Sequence, residues 1–421
     1  MASKPSAAAA SIVHWMVDAA LETTPIEHTF TRLVLALRDE GIEIDRAYLA
    51  HPTLHPLHRG SSFLWTLEAG LSREFFAIDG ASPTAAWKDS PIRHAITHNV
   101  DRLRRRLAGP GAMCDFPVLK DFAAAGLTDY LLVAVPFDGF RSSMPDMGAT
   151  IGMLNGSGMA CTFATARPGG FSDDEIETLD WLKRPLAVVV KMADQRRVAE
   201  ALAECYIGKE AGPRVLRGAI RRGDFASTEA VVWLSDLRAS TQMSMTLPRE
   251  AFIATINDFF DCTVGAVEAE GGEPLSFIGD GALAIFPVEA MGAGGARDAA
   301  LRAAARAQAA MADLNANRAG AGREPLNWGL ALHAGVLDYG NIGSLTRHTW
   351  SVLGPVVNET ARLEGVTKLT GEPVVASRAF AAGLARAAEW RSIGSFDLKG
   401  MSEPFEVFAP PTEACLKEDA A

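Results

Sequence analysis

Two short apolar runs in the C-terminal half of the chain each meet an aspartate at one end, and this pairing constrains the fold more than any other feature. Ala230–Leu234 leads almost directly into Asp236, within VVWLSDLRAST (Val231 to Thr241). Ala282–Phe286 begins just after Asp280, within SFIGDGALAIFP (Ser276 to Pro287). Both runs read as strands, so each carboxylate stands at a strand edge where a hard cation can reach it. Small and hydroxyl residues follow Asp236, and free backbone N–H groups there suit phosphate. Gly279 and Gly281 bracket Asp280, a hairpin signal with the carboxylate at its tip. Each aspartate has a plain alternative: Asp236 could cap the next helix, and Asp280 could be an ordinary Asp-Gly turn. Together in one domain, they can hold two divalent ions at the spacing phosphoryl chemistry uses.

The surrounding pattern gives these strands a setting. Helical stretches are expected at Pro248–Glu270 and in the Ala-rich segment Ala296–Asn315, with a hairpin around Gly271-Gly272 between the first helix and the second apolar strand. Strands are expected at Asn327–Ala334 and Thr349–Leu353, the latter running into a helix at Val356–Leu363. This alternation suits an α+β domain, residues 228–410, whose sheet carries helices on one face. Within WSVLGPVVNETARLE (Trp350 to Glu364), Asn358 and Arg362 lie four apart and so share one helix face. An amide and a guanidinium there can orient a sugar and clamp a phosphate whose charge is growing, though such pairs also decorate helix surfaces.

Upstream, residues 1–11 read as a disordered tail, and residues 12–193 as a second α+β domain. Apolar residues recur at helical spacing from Ile12 to Leu37. Strand-like runs follow at Ala47–Ala50, Ser62–Leu67 (Phe63, Trp65 and Leu67 facing one way) and Glu74–Ile78. A helical stretch at Pro91–Leu107 precedes strands Tyr130–Phe137 and Met159–Ala166. Ser172 and the acidic residues after it then mark the start of a helix. Residues 194–227 form a charged, mainly helical connector broken at Gly212-Pro213, and residues 411–421 a tail.

Composition narrows the partners. The 421-residue chain carries a formal charge of −11, so it has no global basic field for nucleic acid or an anionic membrane. The pair Arg221-Arg222 reads as a solvated linker face or an intersubunit helix rather than a nucleic-acid contact. No apolar run approaches the ~18 residues that span a bilayer. Five scattered cysteines without a CxxC pair read as reduced thiols, and the chain is expected in the cytoplasm.

The three motif stretches resemble the class III nucleotide cyclases, the adenylate/guanylate cyclase family. LALHAGVLDYGNIGS (Leu330 to Ser344) and FDLKGMSEPFEVF (Phe396 to Phe408) are also similar to that family's, and all five stretches fall in the right order within 228–410. The resemblance implies a ferredoxin-like, palm-type catalytic domain. It implies that Asp236 and Asp280, with Leu237 beside them, bind two Mg²⁺ or Mn²⁺ ions. It further implies that Asn358 orients the ribose, that Arg362 steadies the pentavalent transition state, that Lys399 contacts the triphosphate, and that Thr241 is among the substrate-binding residues. In the family the metal aspartates come from one subunit and the Asn/Arg helix from the other, which implies a homodimer with two sites at its interface.

Departures from the family bear on the substrate. Ser276 stands where adenylate cyclases of the family usually carry a base-reading lysine and guanylate cyclases an acidic residue. Ser351 stands where Asp or Thr is usual and can replace Thr, since a hydroxyl both donates and accepts. Ala239-Ser240 replaces a frequent Gly-Phe, a strain if that loop needs positive φ. The expected reaction is cyclisation of a purine nucleoside triphosphate, ATP ahead of GTP. The alternative is a degenerate cyclase that binds nucleotide as a signalling module. Gly271-Gly272-Glu273-Pro274-Leu275 resembles the signature of cyclic di-GMP synthases, but Pro274 replaces the acidic residue that signature needs. The N-terminal domain resembles GAF-type sensors in its order of elements and in PGGFSDDEIETLDWLKRPLAVVV, which implies a small-molecule ligand. His51, His55 and His58, in HPTLHPLH, lack neighbouring Cys or carboxylate ligands in the sequence and read as a Pro-rich loop.

Overall fold

The structure is a computed structural model that describes residues 7–22, 24–77, 84–137, 157–401 and 403–411. The chain divides into two compact units, Met1–Leu202 and Ala203–Ala421, a division that falls inside the connector stretch 194–227.

The first unit is a six-stranded antiparallel sheet clothed by helices. Its elements are α1 (Ala7–Leu21), α2 (Ile26–Asp39), β1 (Arg46–Pro52), β2 (His58–Thr66), β3 (Gly70–Ala77), α3 (Ala85–Lys88), α4 (Pro91–His98), β4 (Arg102–Arg106), α5 (Pro117–Ala124), β5 (Asp129–Phe137), β6 (Ser157–Thr165) and α6 (Asp173–Ile207). Strand order is β3-β2-β1-β6-β5-β4. One face packs Leu49, Phe63 and Phe163 against α1, α2 and α6 through Met16, Phe30 and Leu186. The other packs Tyr130 and Leu132 under α4 and α5 through Ala95 and Leu119.

Four readings of this unit change. The tail expected through residue 11 is already helical from Ala7, because alanines 7–10 are the best helix formers. The helix expected over Pro91–Leu107 ends at His98, where Asn99 takes a left-handed C-cap at φ 54°, and the arginine-rich remainder becomes edge strand β4. Leu67 lies exposed beyond β2 instead of continuing the Phe63/Trp65 face. His51 and His58 belong to strands, and only His55 lies in the connection between them. His51 is buried with Ser61 Oγ 3.0 Å from Nε2 and Asp194 3.5 Å from Nδ1, so a carboxylate distant in sequence does stand beside it. Ile78 and residues 412–421 lie outside the described residues.

The second unit comprises α7 (Ala211–Leu216), β7 (Phe225–Leu237), α8 (Ser240–Thr246), α9 (Arg249–Ala269), β8 (Glu273–Ile278), β9 (Gly281–Pro287), α10 (Val288–Met291), α11 (Ala293–Gly320), β10 (Trp328–Gly343), β11 (His348–Leu353), α12 (Pro355–Thr370), β12 (Val374–Ser377), α13 (Arg378–Ala381), β13 (Arg391–Phe396) and β14 (Phe405–Ala409). The main sheet runs β13-β14-β12-β10-β7-β9-β8, with β11 paired to the far half of β10. Among the described residues of this sheet, only β10 and β12 pair in parallel.

Helices cover both faces of this sheet, not one as the sequence suggested. Val231 and Trp233 face α11 and α9 through Ala300, Ala304 and Val267. Ala230 and Val232 face the other way, toward Val356 of α12 and Ala211 of α7. The continuous run Ala-Val-Val-Trp-Leu is the reason, since a strand apolar at every position is one buried on both sides. The expected hairpin at Gly271-Gly272 is instead a helix-to-strand turn, with Gly271 at φ 77°.

Candidate active site

The site begins with strand register. Asp236 ends central strand β7, where it pairs with Gly281 of β9 on one side and Gly329 of β10 on the other. Asp280 immediately precedes β9, in the two-residue loop that joins β8 to β9. In that loop Gly279 has φ 65° while Asp280 keeps negative φ, the pattern of a Gly-first hairpin turn. The Leu237 N–H donates to the Asp280 carbonyl over 3.3 Å, so backbone ties the two aspartates to one corner of the sheet. Gly281 is required there. A Cβ at that position would stand 2.9 Å from the Ser235 carbonyl and 3.4 Å from Asp236 Oδ1, crowding the carboxylate.

Beyond Leu237 the chain turns through Ala239, at φ 58° and ψ 21°, into α8, which carries the exposed Thr241. The loop therefore does demand left-handed backbone, and alanine is a strained occupant. Ala239→Gly is expected to stabilise the protein by about 1 kcal/mol, a rise in melting temperature of roughly 2–4 °C. Thermal unfolding followed by circular dichroism checks this, and a lower melting temperature would contradict it.

A charge network that sequence reasoning missed surrounds Asp236. Lys368 of α12 donates to Asp236 Oδ2 over 2.8 Å, and its Nζ lies 3.6 Å from Glu364 Oε2. Arg238 donates to Glu364 Oε1 over 2.9 Å, also bonds Thr367, and lies 3.9 Å from Asp236. Gly329 makes room for this guanidinium, since a Cβ there would overlap Arg238. Glu364 is buried and held by both cations. Burial works to lower the Lys368 pKa, but the hydrogen bond to Asp236 and the charge of Glu364 outweigh it, so the ammonium titrates above its ordinary value. Among the described residues no cation pairs with Asp280.

The remaining predicted residues lie elsewhere in the unit. Asn358 and Arg362 are exposed on α12, about 200° and 240° around the helix from the buried Val356. They stand ~15 Å and ~9 Å along the axis from Lys368, the residue that reaches Asp236. Lys399 lies exposed in the connection between β13 and β14. Following strand directions from β7 through β10, β12 and β14 places that connection at the sheet edge opposite Asp236. Ser276 is exposed on β8 opposite Leu283, and Ser351 is half-buried on β11 opposite Gly340; these two strands touch. The backbone thus joins Asp236, Leu237 and Asp280 at one corner, while Asn358 and Arg362 lie exposed on α12 and Lys399 lies at the opposite end of the strands.

Beneath α12 lies a buried polar chain. His333 Nε2 is 2.7 Å from Glu359, and its Nδ1 is 2.6 Å from Ser377 Oγ, which also accepts from the Phe380 N–H. A neutral imidazole satisfies both partners, donating from Nε2 and accepting at Nδ1 from the serine hydroxyl. Burial lowers the pKa of His333 against the pull of Glu359, and burial likewise lowers that of His51 against Asp194. A histidine depressed in the fold contributes stability that is present above its unfolded pKa of ~6.5 and is lost as pH falls toward the folded value. Urea midpoints are therefore expected to drop between pH 7.5 and 5.5, and an unchanged midpoint would contradict the buried neutral imidazoles.

The donor set suits a hard divalent cation. Asp236 and Asp280 offer carboxylates and Leu237, its side chain buried, only its carbonyl, so every donor is oxygen. Among the described residues no group of three or more His, Cys, Asp or Glu side chains forms a closed metal cage. Such an open set leaves positions for phosphate oxygens and water.

Comparison with known proteins finds relatives over part of the chain. An uncharacterised protein of Mycobacterium tuberculosis is 29% identical over 226 residues, covering 53% of this chain and 40% of its own length. An adenylate cyclase of Anabaena cylindrica is 29% identical over 156 residues, covering 36% of this chain and 30% of its own. The adenylyl cyclase CyaB from P. aeruginosa, a solved structure, is similar at 24% identity and a TM-score of 0.41, over 44% of this chain and 95% of that one. No family model matches. The chain spans well under half the length of these curated relatives. Two of the curated proteins that the chain resembles, from Anabaena cylindrica and Rhizobium meliloti, are adenylate cyclases, each matched over less than a third of its own length.

Proposed function

We propose that this chain is a metal-dependent purine nucleotide cyclase, acting on ATP in preference to GTP from a site shared between two copies. The observation that carries the reading is the separation of its functional groups. Asp236, Leu237 and Asp280 sit at one sheet edge, while Lys399 sits at the opposite edge and Asn358 and Arg362 project from the exposed side of α12. These placements favour a site closed by a second copy, which, related by a two-fold axis, would supply the other half to each. Exposed Phe277 and Ile278 at the hairpin next to Asp280, with Leu345 and Leu353 around β11, give such a dimer apolar surface to bury.

Two Mg²⁺ or Mn²⁺ ions held by Asp236, Asp280 and Leu237 supply Lewis-acid stabilisation of the charge that builds on the phosphate oxygens. Asn358 orients the ribose so that its 3′-oxygen faces the α-phosphorus. That oxygen bonds to phosphorus, its proton passes to solvent, and the bond to pyrophosphate breaks. Arg362 stabilises the crowded phosphoryl group, and Lys399 and Thr241 contact the triphosphate. Ser276 and Ser351 meet the base. The hydroxyl at Ser351 underlies the preference for ATP.

A slow or non-cyclising nucleotide-binding module is the second reading, favoured by the strained Ala239 and by serine at 276. The N-terminal unit is proposed as a GAF-like sensor for a small molecule, in a cytoplasmic protein. Among the described residues no helix is long and apolar enough to cross a membrane. Incubating the full chain with ATP and GTP in parallel, each with Mg²⁺ or Mn²⁺, tests the reading. Cyclic nucleotide and pyrophosphate in equal amounts support it. Nucleotide binding without product in all four mixtures selects the module instead.

A further inference from the structure

In the structure the candidate metal carboxylate at 236 is already engaged by a cation from the protein itself. The Lys368 ammonium lies 2.8 Å from Asp236 Oδ2, a charge-assisted bond across two elements that sequence separates by 132 residues. The partnership is lopsided, because the lysine side chain is 52% exposed while that of Asp236 is 23% exposed. A flexible, half-solvated ammonium can leave, whereas the aspartate is fixed by the register of β7 between β9 and β10.

The same ammonium also has somewhere to go. Glu364 lies one turn back on α12 with Oε2 3.6 Å from Nζ, and its side chain is only 8% exposed. Its Oε1 is occupied by Arg238 over 2.9 Å, which leaves Oε2 as the acceptor nearest to a displaced lysine. Arg238 cannot follow the same course, being locked to Glu364 and Thr367 beneath Gly329. Two cations, Arg238 and Lys368, thus face Asp236 and Glu364 at a corner that also carries Asp280, unpaired among the described residues, and of the two cations Lys368 is the more exposed.

We propose that Lys368 is a resident counter-ion that occupies Asp236 until a divalent cation displaces it onto Glu364, and so sets the metal concentration at which the site fills. This rests on the reading of Asp236 and Asp280 as the metal carboxylates. It makes Lys368 a positioning residue, acting through Asp236 on a ligand it does not itself bind. Without the lysine, Asp236 would keep only Arg238, 3.9 Å away and committed to Glu364, and would bind a divalent cation more tightly. With arginine in its place the competition would persist.

Mn²⁺ binding to the full chain, followed by the loss of the free-ion electron paramagnetic resonance signal, measures this without any turnover. Lys368→Ala and Lys368→Gln are expected to lower the dissociation constant about fivefold, and Lys368→Arg to leave it within about twofold of the parent. Melting temperatures close to the parent's establish that all three variants fold. An unchanged or weaker affinity in both neutral variants overturns the proposal. Asp236→Asn and Asp280→Asn separate the two levels of inference. If they bind Mn²⁺ as the parent does, the metal-site reading fails; if they lose it while the Lys368 variants show no gain, only the role of Lys368 fails.

Discussion

Asp280→Asn is expected to lower cyclic nucleotide formation by about 10³-fold while leaving the fold intact. The expectation rests on where the residue sits. Asp280 holds the second position of a two-residue hairpin loop, and asparagine serves such turns as well as aspartate does. Its backbone carbonyl, which accepts from Leu237, is untouched by the change. Only the charge disappears, at the one carboxylate of the pair that no protein cation neutralises among the described residues. Removing a single preorganised electrostatic group from a reacting centre costs on the order of 10²–10³-fold, and the loss of a metal ligand lies at the upper end of that range. Product assays with saturating Mn²⁺ alongside a melting curve give the answer. Retained activity would remove the metal role from Asp280.

The second large effect concerns assembly. Asp280→Asn and Arg362→Ala are each expected to be inactive alone, and an equimolar mixture produced in the same cells is expected to regain about a quarter of parental activity. Half of the dimers in such a mixture pair one variant with the other. Each of these contains one site assembled from two intact halves and one site with both halves broken. A site built within a single chain could not be rescued in this way. A mixture no more active than its components would therefore place Arg362 and Asp280 in the same site of one chain and overturn the shared site.

Much of the second unit's fold was legible because its strands and turns are written in local patterns. The apolar runs before Asp236 and after Asp280 are strands, and the Gly-Asp-Gly step between β8 and β9 is a hairpin, since each is set by residues within a few positions. The two-sided burial of β7 was also present in the sequence, in a run apolar at every position, but was outweighed by the expectation of a single helical layer. What escaped was the counter-ion network. The helix carrying Asn358 was expected to stop at Leu363, whereas α12 continues to Thr370 and ends at Gly371 with φ 77°. Glu364 and Lys368, four apart in the order that favours a helix, signal that continuation. Their encounter with Asp236 and Arg238 was not legible, because it depends on how α12 lies across β7. The same holds for His51, whose partner Asp194 is set beside it by the packing of α6 on the first sheet.

The register of β7 carries a consequence for how such a protein could diversify. Asp236 and Asp280 are fixed by main-chain pairing and by a glycine that admits no side chain, so few neighbours could change without disturbing them. The positions proposed to meet the base are of another kind. Ser276 is on edge strand β8, and Ser351 is on a strand paired only to the far half of β10. On the proposed reading, variation at the periphery would alter which nucleotide is accepted and spare the corner proposed to bind the metals. In this architecture a change of substrate is a small evolutionary step, and a change of reaction is a large one.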